Sequence, residues 1–219
     1  GIDNNLTHKI KIINFGIDTK YFSKKKYCFE TEKKLKIENF RDHLKIISLR
    51  NHYEIYDIKT LILSISKLVK VNKKVICLIY GTGPKTYNLK KLTTDLGLEK
   101  NINFMGKYSQ DELPFIFSLV DCYVSTSLSD AGLSSSTAEA MSCEVPSISS
   151  NNSENKIWID HGKSGFLYKD KNIDELTEIF INLKKFDLVS IASKGRKIIQ
   201  KNNDYENEMT KVDKLYNSL

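Results

Sequence analysis

Short apolar runs rich in Val, Ile and Tyr recur along the middle of the chain, separated by longer stretches whose apolar residues fall three and four apart. Runs of that length predict strands, and the 3.6-residue period between them predicts helices packed on a parallel sheet. The predicted strands are residues 9–14, 44–49, 74–80, 101–105, 121–126, 145–149 and 165–168. The clearest helix is 57–71, where Ile58, Leu61, Ile62, Ile65, Leu68 and Val69 form one apolar stripe. Ser109 and Glu112 have capping-box spacing and predict a helix running to 119, while Pro84 opens another that stops at Gly97. The last third reads as helices 173–186, 188–200 and 205–219, with Asn202-Asn203-Asp204 as the final break. Met209, Val212, Leu215 and Tyr216 make an apolar stripe on the last of them. Residues 23–42, rich in Lys and Glu, predict a connecting loop or short helix. The expected fold class is α/β, a Rossmann-like parallel sheet with helices on both faces.

A length of 219 residues suits one large α/β domain and is short for two cores, so a single domain over 1–219 is expected. Cys28, Cys77, Cys122 and Cys143 show no paired spacing, which favours free thiols in a reducing cytosol over disulfides or a metal site. No stretch approaches the roughly 18 apolar residues of a membrane span, and no signal pattern opens the chain. The expectation is a soluble, cytoplasmic protein. Of the formal charge of +7, residues 1–50 account for six, with twelve Lys/Arg against six Asp/Glu. Lys24, Lys25, Lys26, Lys33, Lys34 and Lys36 could attract nucleic acid or an anionic membrane surface, or form a solvated loop. No nucleic-acid motif accompanies them, so no nucleic-acid partner is expected.

Ligands of open parallel sheets bind at the carboxyl ends of the strands, where three loops qualify here. Leu49-Arg50-Asn51 sets an arginine just after a strand, within reach of phosphate oxygens, with an unliganded surface arginine as the rival reading. Gly81-Thr82-Gly83-Pro84 matches the dinucleotide fingerprint only in part, since the third glycine would fall at Thr86; it reads equally as a tight turn approaching a ligand or as a purely structural turn. The third loop runs from Ser127 to Ser136 through Asp130, Ala131, Gly132, Leu133, Ser134 and Ser135, and leads into Thr137-Ala138-Glu139-Ala140-Met141. Glycine and small hydroxyl residues at a helix start leave backbone N–H groups and the positive dipole end for an anion. Glu139 lies four residues after Ser135, on the same helical face, where a carboxylate can accept both hydroxyls of a ribose diol. The alternative is a serine-capped helix with one surface glutamate.

With these residues assembled, the chain resembles the C-terminal domain of the retaining glycosyltransferases of family 4 (group 1), whose GT-B fold pairs two Rossmann-like domains. The resemblance rests on Ile13-Asn14-Phe15-Gly16-Ile17-Asp18-Thr19, Gly81-Thr82-Gly83-Pro84, Asn103-Phe104-Met105-Gly106, the segment 127–141, Val145-Pro146 and Gly162-Lys163-Ser164-Gly165-Phe166-Leu167, in the family's order. It implies that Glu139 binds the ribose and that Gly132, Leu133, Ser134 and Ser135 contact phosphate and sugar. It further implies that Arg50 binds the diphosphate, that Gly81 lies close to the donor, and that Gly106, Lys107 and Tyr108 line the base pocket. Ala131 stands where the family has its first acidic residue, with Asp130 one position earlier. Tyr56 stands near the family's phosphate-binding lysine, with Lys59 the nearest replacement.

The implied reaction transfers a sugar from a UDP- or GDP-type donor with retention at the anomeric carbon, Arg50, Asp130 and Glu139 being the catalytic candidates. No cofactor or metal is implied, because positive groups and a helix terminus stabilise the leaving diphosphate. The expected partners are the nucleotide sugar and an acceptor glycan or lipid-linked glycan, met at a peripheral site on the inner membrane face. The acceptor would be held by an N-terminal domain absent from this chain, on which helix 204–219 would pack; 1–42 is read as hinge-proximal. A nucleotide-sugar epimerase, a dinucleotide-dependent oxidoreductase and a non-catalytic sugar-nucleotide-binding module are the alternative readings. His8, His43, His52 and His161 read as ordinary surface or loop histidines.

Overall fold

The run Val75–Tyr80 is buried at every position, as befits a central strand of a parallel sheet covered by helices on both faces. It is β2 of the computed structural model, which describes residues 10–130, 132–152 and 155–218. The first elements in chain order are α1 (Phe29–Leu35), β1 (Leu44–Ser48), α2 (Ile58–Val71), β2, α3 (Thr86–Asp95), β3 (Ile102–Gly106), α4 (Leu113–Phe117) and β4 (Cys122–Ser125). There follow α5 (Ser135–Ser142), β5 (Ser147–Ser150), α6 (Asn155–Trp158), β6 (Phe166–Tyr168), α7 (Ile173–Asn182), α8 (Leu188–Asn202) and α9 (Tyr205–Tyr216). All strand pairs are parallel and the order is β3-β2-β1-β4-β5-β6.

Successive strand residues point to opposite faces, and the two halves of the core show it. Ile47, Ile76, Leu78 and Tyr123 join one cluster, with Leu113 and Phe117 of α4 and Ala138 and Met141 of α5. Ile46, Cys77, Ile79 and Val124 join the other, with Ile58, Leu61, Ile62, Ile65 and Leu68 of α2 and Leu176 and Phe180 of α7. The α2 stripe is thus the inner face of a helix lying between sheet and solvent. Cys77, Cys122 and Cys143 are buried, Cys28 is half-buried, and all four are free thiols. Among the described residues no helix is long and apolar enough to cross a membrane.

Several expectations need correction. Residues 10–14 form no strand; Lys9, at the start of that expected run, lies outside the described residues, as do His8, Ala131 and Leu219. The segment is held instead by the end of the chain. Ile17 N donates to Asn203 O at 2.6 Å, Tyr205 N donates to Ile17 O at 3.0 Å, and Asn14 N donates to the buried Glu208 at 3.0 Å. A side chain at Gly16 would meet the Tyr205 Cα at 2.6 Å, so this crossing requires glycine. The capping box at Ser109 does not form: a 3-10 turn, Gln110–Glu112, precedes α4, and Ser109 makes no capping bond. Glu112 pairs with Lys34 of α1 instead. Pro84 lies in the turn before α3 rather than in the helix. Residues 183–186 leave α7 as a 3-10 turn, Leu183–Lys185. Arg196 of α8 fastens the N-terminal segment to α5, donating to the carbonyls of Thr19, Phe22 and Ser142. In α9 Glu208 is the buried residue, while Met209, Val212 and Leu215 are half-exposed and Tyr216 is exposed.

Candidate functional site

A strand order of 3-2-1-4-5-6 has one switch point, between β1 and β4, where the connections leave in opposite directions and open a crevice at the strands' carboxyl ends. Arg50 follows β1, and Ser127 to Asp130 follow β4, so the topology alone brings them together. Arg50, Tyr56, Ser129, Asp130, Leu133, Ser134 and Ser135, with Phe15 and Ile55, line an open cleft of about 760 Å³ at this point.

The guanidinium of Arg50 is held on every side. Nε donates to Ser127 Oγ at 3.0 Å, Nη1 to Ser136 Oγ at 3.4 Å, and Nη2 to Asp130 Oδ1. Its Cζ lies 4.4 Å from the centre of the Tyr56 ring, a stacked cation–π contact. The Arg50 and Asp130 side chains are only 11% and 2% exposed, so the ion pair is a buried one. Burial raises the pKa of Asp130, and the charge of Arg50 opposes that rise. Tyr56, noted in the sequence only as a missing lysine, therefore supplies a flat partner that fixes the arginine.

Helix α5 starts against this cluster. Ser134 is its N-cap, and its Oγ accepts from Thr137 N at 3.3 Å. The amides of Ser135 and Ser136 precede the first intrahelical bond, Ala138 N to Ser134 O, and Ser134 and Ser135 line the cleft. Gly132 enters the helix with φ +118°. One turn in, Glu139 is 6% exposed rather than on the surface, and Gln110 Nε2 donates to its Oε1 at 2.7 Å. Burial pushes its carboxyl up from 4.5 to about 7, against the opposing bond from Gln110. Tyr108 is half-buried, its ring edge-on to Tyr80 at 5.8 Å; burial first and Glu139 second raise its pKa.

Gly81 has a structural task. Its φ is +102°, and a Cβ there would meet Arg50 O at 2.4 Å. Its amide donates to Gly106 O at 2.7 Å, so it clamps the loops after β1, β2 and β3 together. Gly81→Ala should lose at least about 2 kcal/mol through backbone strain and displacement of the Arg50 loop. Thermal unfolding checks this; an unchanged melting temperature would refute it.

Two expected donor-binding residues lie elsewhere. Lys59 is exposed and lines a separate depression of about 310 Å³ with Tyr53, Glu54, Asp57, Lys85 and Leu92. Helix α2 turns it away from the cleft. Lys107 is exposed on a groove with Tyr80, Met105, Asp111 and Phe115, beyond Tyr108. His52 is buried, not on the surface: its Nδ1 lies 2.8 Å from Thr86 Oγ1 and its ring meets Phe104 edge-on, with burial lowering its pKa. Ser127 and Ser136, the ends of the third candidate loop, both bond to Arg50; Gln110 belongs to the site without having been marked, and left no local signal.

Residues 30–202 match the family described as glycosyl transferases group 1. An uncharacterized glycosyltransferase of Methanocaldococcus jannaschii is 28% identical over 192 residues, covering 86% of this chain and 48% of that protein. A GDP-mannose-dependent alpha-(1-6)-phosphatidylinositol monomannoside mannosyltransferase of Mycobacterium tuberculosis is 27% identical over 111 residues, 48% of this chain and 29% of its own length. The chain thus spans about half the length of the first relative or less of the second. Among solved structures, HepE of Anabaena in complex with UDP superposes with a TM-score of 0.84 at 18% identity, covering 95% of this chain and 57% of that one. The same protein is also solved with UDP-glucose. The likeness identifies the fold as one Rossmann-like half of a GT-B architecture.

Proposed function

The chain belongs to the group 1 glycosyl transferases, and we propose that it is the donor-binding half of a retaining, family 4 member that takes a UDP- or GDP-linked hexose. The observation that carries this reading is the pairing, at the sheet's switch point, of a fixed guanidinium with the start of α5 and a buried carboxylate one turn along. The diphosphate would lie between Arg50 and the amides of Ser135 and Ser136, and the ribose diol would reach Glu139. The nucleotide-sugar complexes of HepE and the GDP-mannose dependence of the mycobacterial relative support this class of donor.

In the reaction, the bond from the anomeric carbon to the diphosphate oxygen breaks with its electron pair leaving on the diphosphate. The acceptor hydroxyl bonds to the same face of the sugar and passes its proton to the departing diphosphate oxygen. Arg50 and the helix start stabilise the charge that develops on the leaving oxygen, and both are in place beforehand. Asp130 holds Arg50 and need not touch sugar. The acceptor belongs to a second domain, and the half-exposed stripe on α9 offers that domain a packing surface. Work on cell-surface polysaccharide or glycolipid at the cytoplasmic face of the membrane completes the proposal, the lysines of 24–36 supplying the attraction to anionic lipid.

Calorimetric titration of the chain with UDP, GDP, ADP and NAD tests the donor. UDP or GDP should bind, and raising salt should weaken the interaction. Binding of NAD in place of either diphosphate would overturn the assignment.

A further inference from the structure

Glu139 does not face its ligand alone. Gln110 stands at the start of the 3-10 turn after β3, 29 residues earlier in sequence, yet its amide reaches the Glu139 carboxylate at 2.7 Å. The glutamine is on an exposed residue and the carboxylate is buried, so Gln110 spans from the surface to the group behind it. A carboxylate has two oxygens and about four acceptor positions. Gln110 takes one on Oε1 and thereby sets the plane in which the remaining positions are offered. Ser135 lines the cleft, and Glu139 lies four residues on, on the same face of the helix.

The groups around the carboxylate narrow the choice of what Gln110 does. From the β3–α4 connection come Gln110 and Tyr108; from its own helix comes Cys143, whose thiol burial pushes up to about 12. Tyr108 is likewise raised above 10 by burial. Both stay neutral through the physiological range, which leaves the Gln110 amide as the neighbour that favours an ionised Glu139.

We propose that Gln110 is a positioning residue that orients the Glu139 carboxylate on the ribose diol, so that discrimination of ribose from 2′-deoxyribose resides in the Gln110–Glu139 pair. The inference rests on the donor placement proposed above. A glutamine that merely satisfied a buried acid would affect stability without touching that discrimination.

The test titrates UDP, dUDP, GDP and dGDP into the chain and its Gln110→Leu, Gln110→Asn and Glu139→Gln variants at pH 6 to 8.5. Gln110→Leu should weaken the ribonucleotide about tenfold, the loss of one charge-assisted hydrogen bond, and leave the deoxynucleotide nearly unchanged. It should also move the pH at which ribonucleotide binding reaches half strength upward, because the amide no longer favours the ionised carboxyl. Gln110→Asn keeps an amide one methylene short and should fall between the two. If Glu139→Gln collapses the ribose preference while both Gln110 variants keep it with the same pH profile, the pairing is refuted and the donor placement stands. If Glu139→Gln also leaves the preference intact, the ribose lies elsewhere and both fall.

Discussion

At pH 8, Glu139→Gln is expected to melt at a higher temperature than the unsubstituted chain while losing most of its affinity for the donor nucleotide. The carboxyl titrates at about 7 in the folded chain, against 4.5 ordinarily, because burial penalises its charge. Between those values the folded state holds a proton that the unfolded state has released. Stability from this source is therefore fully present below pH 4.5 and lost as pH rises to about 7, a difference of about 3 kcal/mol. Glutamine fills the same space, accepts the same bond from Gln110 and carries no charge to bury. Its melting temperature should exceed that of the parent at pH 8 by on the order of 5 °C, with the gap closing toward pH 5. Affinity should drop about 10- to 100-fold, since a neutral amide is a poorer acceptor for two hydroxyls than a carboxylate. Scanning fluorimetry across pH and calorimetry at pH 8 measure the two effects. A variant that melts lower than the parent at pH 8 would show that Glu139 is structural.

The other large effect is expected at Arg50. Arg50→Ala strands Asp130, whose side chain is 2% exposed and whose charge is otherwise matched by the guanidinium. Breaking a buried pair in this way costs about 3–5 kcal/mol. Asp130 has one escape, taking up a proton. Burial already raises its pKa, and removing Arg50 takes away the charge that opposes the rise. Because the folded-state value lies above the unfolded one, that relief is present at low pH and disappears as pH climbs through the folded value. The melting deficit of Arg50→Ala should thus be smaller in acid and grow as pH rises. Adding Asp130→Asn should restore most of the lost stability. On the proposed donor placement it should not restore nucleotide binding, which is expected to fall at least about a hundredfold without the Arg50 guanidinium. A double variant that binds UDP or GDP as tightly as the parent would reduce Arg50 to a structural part of the loop.

These effects should separate because, on the proposed reading, the same residues serve two demands. A buried carboxylate and a buried ion pair are costly to the fold, and both sit where the sheet opens rather than in either hydrophobic cluster. The likeness in fold to HepE of Anabaena covers 57% of that chain; what the groups can do rests on the named side chains of this one.

The one-dimensional pattern by itself determined the strands from β1 to β6, the α2 stripe, and a helix beginning at Ser134 with Glu139 in phase with Ser135. These depend on neighbours within about two helical turns or on the period of a single strand, and local periodicity carries that information. Tertiary structure decided the rest. It denied residues 10–14 a place in the sheet, because Ile17 pairs with Asp204 and Asn14 with Glu208 instead. It joined Arg50 to Asp130 across 80 residues and Gln110 to Glu139 across 29, turned Lys59 outward, and buried His52. Such contacts follow from strand order, which sets β1 beside β4. No periodicity records that order, since a parallel strand has the same alternation whichever neighbour it takes.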